Sequence, residues 1–210
     1  MALVDFLFRW GHGLFGITWI GLLYYFNFIQ GEYFKEAEAD AKADATKKLA
    51  PRALWWFRWG AMFTFLTGAY LLYSLGQGIN QFIVLGALMG TFMFLNVWLI
   101  IWPNQKIVCG IVEGDAAAAG PKALLASRTN TLFSAPMLYG MFGSKHGVYA
   151  PDVINGMDFS DVGYLACIAI IVALEINAIV GKLGPIATVK GVIHMSLALT
   201  AVLYAILHFL

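Results

Sequence analysis

The sequence predicts an all-α fold: a polytopic integral membrane bundle of about six transmembrane helices forming a single domain, residues 1–210. Three observations predict it. The chain is 60% hydrophobic, 15% aromatic and 12% charged, with a mean hydropathy of +0.75, which is the composition of a polytopic membrane protein and leaves no soluble domain over. Its apolar residues fall in runs that cover a hydrocarbon core of about 30 Å at about 1.5 Å per helical residue. The charges collect between those runs.

Hydropathy places the spans at residues 4–30, 53–75, 82–102, 123–142, 162–181 and 186–209. The first has no basic region ahead of it and no small-residue cleavage site, so it is expected to be kept as a helix. Between the first two spans, residues 31–52 are charged and alanine-rich, which favours a helix on or beyond the membrane surface. The fourth span is the most polar, with Ser127, Arg128, Thr129, Asn130, Thr131 and Ser134, and Pro136 is expected to kink it. Such a helix cannot face lipid all round and belongs at the bundle centre. Residues 145–161 are rich in Gly, Pro, Asn and Asp and read as an irregular loop.

Lys35, Lys42, Lys47, Lys48, Arg52, Lys106, Lys122 and Lys182 follow spans one, three and five, while the other side offers little beyond Arg9 and Lys145. The bias predicts a bacterial inner membrane protein with loop 31–52 cytoplasmic and both termini and loop 145–161 periplasmic. The near balance of 13 Lys and Arg against 12 Asp and Glu gives no reason to expect nucleic acid as a partner. Cys109 and Cys167 lie in different segments and neither sits in a Cys-x-x-Cys-His run, which excludes covalent haem attachment and argues against a structural disulfide.

The candidate site starts from His12, an ionisable residue about a third of the way along an apolar span. Phe15, Gly16 and Trp19 share its helix face, so that Gly16 leaves room beside the imidazole and the two rings wall it. A flat macrocycle held by an axial histidine needs such room; a histidine hydrogen-bonded to a neighbouring helix, with glycines serving only close packing, is the other reading. By depth, His146 and His208 fall in the same leaflet as His12, as a pair of axial ligands requires, and His194 alone falls in the opposite half. His146 also reads as a solvated loop residue, and His208 as an interfacial one. On the cytoplasmic side, Glu175 is expected to meet Arg58 or Arg128 or to remain protonated, as part of a structural ion pair, a quinone pocket or a proton route. No nucleophile-base constellation and no phosphate-binding glycine loop is visible, so any catalysis would be a cofactor's.

Four runs carry a family resemblance. They are His12 with Gly16-Ile17, Trp19-Ile20-Gly21 and Tyr25-Phe26; Trp56-Phe57-Arg58-Trp59; Met89-Gly90-Thr91-Phe92-Met93 continuing to Asn96-Val97-Trp98 and Trp102-Pro103-Asn104-Gln105-Lys106; and Asn130, Pro136, Leu138 with Ser144-Lys145-His146. In this order they resemble the membrane domain of bacterial cytochrome-c-linked urate oxidase, or urate hydroxylase, over about residues 7–148. The resemblance implies a b-type haem module in membrane electron transfer and raises His12 and His146 as the axial pair, since the family has histidines at both places. It implies an oxidoreductase or an electron-transfer subunit, with a periplasmic cytochrome c or other subunits of a membrane complex as partners, the lipid bilayer around it, and a quinone as a further candidate. The chain departs from the family where Trp55 and Thr129 replace histidines, where spans between the second and third runs are missing, and in ending without a cytochrome c domain. The departures put urate turnover and a second, cytoplasmic-side haem in doubt. A haem-free structural subunit is the alternative, with a small-solute transporter behind it.

Overall fold

A long antiparallel zip between the first and fourth helices sets up the bundle. In the computed structural model, which describes residues 2–146 and 159–210, α1 (Ala2–Tyr24) runs on through a π-helical turn, Tyr25–Gln30, into α2 (Gly31–Glu36). The charged segment folds as α3 (Ala39–Asp44) and a second π-helical turn, Ala45–Leu49, and leads into α4 (Ala50–Leu75). Glycine at the crossing lets α1 and α4 approach: a methyl on Gly60 would stand 3.2 Å from the Trp19 backbone nitrogen. Aromatic pairs close the seam on either side, Phe8 on Tyr70, Phe15 on Phe63 and Phe26 on Phe57. Gly76, at φ +52°, ends α4 in a conformation that L side chains avoid.

The second half is built on α7 (Ala116–His146), which touches α1, α5 (Gln81–Leu95), α6 (Trp102–Val108), α8 (Val162–Val180) and α9 (Val189–Phe209). This is the central place that its polar sequence predicts. A third π-helical turn, Asn96–Ile101, joins α5 to α6, so that residues 81–108 form one rod. Pro136 lies inside α7 without ending it. Proline has no N–H to offer the carbonyl one turn earlier, and that carbonyl, on Leu132, accepts from Ser196 Oγ at 2.8 Å. Tyr204 Oη donates to the Pro136 carbonyl itself at 2.9 Å. The proline thus creates the acceptor through which α9 is docked.

Among the described residues the chain is all-helical, and Gln81–Val108, Val162–Val180 and Val189–Phe209 are long and apolar enough to cross a membrane. Helices α1, α4 and α7 run to 23, 26 and 31 residues, each longer than Val162–Val180 and Val189–Phe209. The expected loop at 145–161 falls for the most part outside the described residues.

One end of the bundle is tied by side chains. Asn80 caps α5, accepting from Ile83 N, and its Nδ2 donates to the Ser144 carbonyl at 3.1 Å. Asp161 caps α8 through Tyr164 N and accepts from Gln81 Nε2 at 2.9 Å. The Asn80 bond holds the last turn of α7, and with it His146, beside the start of α5, and the Asp161 bonds tie the start of α8 to the same place.

Candidate functional site

His12 stands in the α1–α4 seam, half-buried. Its Nδ1 lies 2.9 Å from the Thr64 carbonyl and 3.2 Å from Thr67 Oγ1. A carbonyl only accepts, so Nδ1 carries the proton, and in the neutral ring Nε2 keeps its lone pair. Nε2 has no hydrogen-bond partner among the described residues and is not sealed in the core. A metal-binding histidine has this arrangement: one nitrogen tied to a backbone carbonyl, which fixes tautomer and ring orientation, and the other free for the metal.

Gly68 makes the seat. A methyl there would lie 2.9 Å from His12 Cε1 and 3.3 Å from Nδ1, so a side chain would push the ring off the Thr64 carbonyl. Thr64, Thr67 and Gly68 escaped the sequence reading, although a polar pair and a glycine amid Phe63, Phe65 and Leu66 are the visible trace of such a seat. Gly16 packs near the Thr64 methyl, and Trp19, 2% exposed, packs on Gly60. Both serve the seam between α1 and α4, and Trp19 Nε1 is buried without a partner.

His146 ends α7 and is exposed. Its depth can be read from the Tyr24–Ser134 hydrogen bond of 2.8 Å, which sets α1 and α7 in register. His12 lies twelve residues before Tyr24 and His146 twelve after Ser134, so on antiparallel helices both stand about 18 Å from that bond along the bundle. No hydrogen bond or ring contact joins His12 to His146 or His208 among the described residues; His208 is exposed, edge-on to Phe209. His194 is exposed too. No group of three or more His, Cys, Asp or Glu side chains fit to hold a metal ion occurs among the described residues, and an axial haem site needs only one or two.

The expected Glu175–arginine pair is not formed. Glu175, 8% exposed, accepts from Asn96 Nδ2 at 3.1 Å. The same amide nitrogen donates to Asn130 Oδ1 at 3.0 Å, and Asn130 Nδ2 donates to the Met93 carbonyl at 2.9 Å. The reason is placement: Asn96 opens the π-helical turn in the 81–108 rod and sits between α7 and α8. A chain of amides therefore reaches the carboxyl group, and neither guanidinium does. Glu175→Gln is accordingly expected to change stability by less than about 1 kcal/mol, because its amide oxygen accepts the same bond, while Asn96→Leu, which orphans two buried acceptors, costs about 1–3 kcal/mol. Thermal unfolding in detergent checks both; a large loss in Glu175→Gln would restore a charged partner.

The fold and the site together define an all-helical protein with membrane-length apolar helices, a histidine poised on a backbone carbonyl and a buried amide–carboxyl chain at its centre. A family model described as urate oxidase N-terminal matches residues 74–172, just under half of the chain, and supports a relationship to a urate-oxidase-related family. The match includes α7 with His146 and leaves out His12. Neither a curated protein nor a solved structure matches the chain.

Proposed function

We propose that this protein is a b-type haem-binding module for electron transfer in a bacterial inner membrane, with His12 as one axial ligand and His146 as the other. The observation that carries the reading is the His12 Nδ1–Thr64 carbonyl bond, which leaves Nε2 as a preset ligand beside the Gly68 seat. His146 is favoured over His208 by lying within the segment that the urate oxidase N-terminal family model matches. A haem held there supplies one-electron transfer. The protein's part is to fix the tautomer and orientation of the imidazole on a carbonyl and line the seam with the rings of Phe15 and Phe63. A haem at this end of the bundle would face a periplasmic cytochrome c or a partner subunit, and a quinone is a further candidate on the opposite side. Urate turnover belongs to the reading only as a possibility carried by the family. The test is a visible spectrum of the detergent-purified protein: a Soret band with a reduced α-band supports the proposal, and their absence leaves a haem-free structural subunit.

The reading includes six membrane crossings, with α1, α4 and α7 joining the three apolar spans, and both termini periplasmic. Cysteines placed at Ala45 and Asn155 are expected to differ in intact cells, an impermeant maleimide modifying only the second. The native thiols add little background: Cys109 and Cys167 are both buried, and burial pushes the Cys109 thiol up, away from the reactive thiolate. Equal labelling, or labelling at Ala45 alone, would reverse or remove the topology.

A further inference from the structure

We propose that the end of the bundle next to residues 31–52 holds an oxyanion site of the phosphate class, built on Arg58 and Arg128. Arg128 is 4% exposed, and its Nε and Nη1 are buried with no hydrogen-bond partner. The same two atoms of Arg58 are also buried and unpartnered. The Arg58 guanidinium carbon lies over the Trp102 ring, 3.8 Å from its centroid.

Each arginine follows a residue that the π-helical extension of α1 touches. Phe26 packs edge-on against Phe57, the residue before Arg58, at 5.5 Å. Its neighbour Asn27 donates to Ser127, the residue before Arg128, at 2.8 Å. Consecutive residues of one turn therefore touch the positions next to both cations. Neither has an ion-pair partner among the described residues, where the ion pairs are the exposed Lys35–Glu32 and Lys48–Asp44 and Glu175 is bonded to Asn96; the carboxylate that acts on Arg128 is Glu32, through space and already held by Lys35. Two guanidinium groups in one weakly polar layer repel each other, and each is strongly unfavourable there without a counter-charge. An oxyanion supplies the charge and the fork-matched acceptors that both lack.

The other unpaired groups nearby fit the same ligand. Trp98 Nε1, one turn before Trp102, is a buried donor without a partner, whereas Asn27 Oδ1 and Gln30 Oε1 are buried acceptors without one. A phosphate that retains an acidic hydroxyl, or a phospholipid headgroup that carries glycerol hydroxyls, offers acceptors to the first and donors to the second. Pro51, Arg52, Trp55 and Trp56 line an open groove at the start of α4, an aromatic and basic rim of the kind that borders headgroups.

The experiment uses the full chain, delipidated in a neutral detergent, and follows its melting temperature against added inorganic phosphate at constant ionic strength and, separately, against phosphatidylglycerol with phosphatidylcholine as control. A saturable rise of several degrees is expected with at least one probe. Inorganic phosphate acting alone identifies a free anion, and phosphatidylglycerol alone a headgroup. Arg58→Gln and Arg128→Gln should flatten the rise, while Arg9→Gln, exposed near the other end of α1, should keep it; if Arg128→Gln does not fold, Arg58→Gln decides. No saturable rise with either probe, or a full rise that survives in Arg58→Gln or in folded Arg128→Gln, would overturn the site.

Discussion

His12→Ala is expected to remove the Soret band completely while the helical bundle stays folded. The imidazole is the only group that α1 offers at this point, and its loss leaves the Thr64 carbonyl hydrogen-bonded within its own helix, so the structural cost is small. Gly68→Val should give a milder version of the same result. A Cβ there stands 2.9 Å from His12 Cε1, so the ring must leave the carbonyl that sets its tautomer, and ligand position is lost although the ligand is still present. Disturbing a metal's supporting hydrogen bond typically costs about 10–100-fold in affinity, which a haem titration of the apoprotein reads directly. His146→Ala should abolish binding or turn a low-spin spectrum high-spin, and His194→Ala should do neither. A native low-spin spectrum in His12→Ala would end the axial-ligand reading.

Gly140→Leu should be among the most destabilising single substitutions, at about 3 kcal/mol, which lowers the melting temperature by roughly 6–12 °C in a chain of this size. Helices α5 and α7 cross where Gly86 meets Gly140. A methyl on Gly140 would stand 2.7 Å from the Phe82 carbonyl and would also meet the Tyr204 hydroxyl, and one on Gly86 would stand 3.1 Å from the Met137 carbonyl. These neighbours are mostly backbone, and backbone cannot rotate aside. The damage would spread, because Tyr204 also bonds to Pro136 and holds α9 on α7. Gly13→Ala, where nothing lies within 4 Å, is the control and should change stability by less than about 0.5 kcal/mol. Equal melting temperatures for the two variants would mean that the α5–α7 contact is not a close one in the membrane.

How much was legible in the sequence can be judged from particular residues. The helix starting near residue 82, the two ending near 180 and 209, and the charged helical segment at 31–52 follow from hydropathy and propensity, which are local. The central place of α7 was legible too, since Arg128, Thr129, Asn130 and Thr131 could not face lipid. The partner of Glu175 was not. Charge suggested an arginine, and the structure supplies Asn96, whose reach depends on a π-helical turn that hydropathy does not register. Pro136 was legible as a break in the helix ladder; that Ser196, sixty residues on, would occupy the freed carbonyl was not.

The sequence by itself determined that the chain is helical, where its long apolar runs lie and which polar groups need partners, because a backbone in apolar surroundings must satisfy its own hydrogen bonds and each buried polar side chain must find another group. Only the tertiary structure decided which group answers which. Glycine contacts at Gly60, Gly86 and Gly140 fix how closely the helices approach. That approach, set by residues far apart in the chain, brings the Thr64 carbonyl to His12 and Asn96 to Glu175, and it leaves Nε and Nη1 of Arg58 and Arg128 without a hydrogen-bond partner among the described residues.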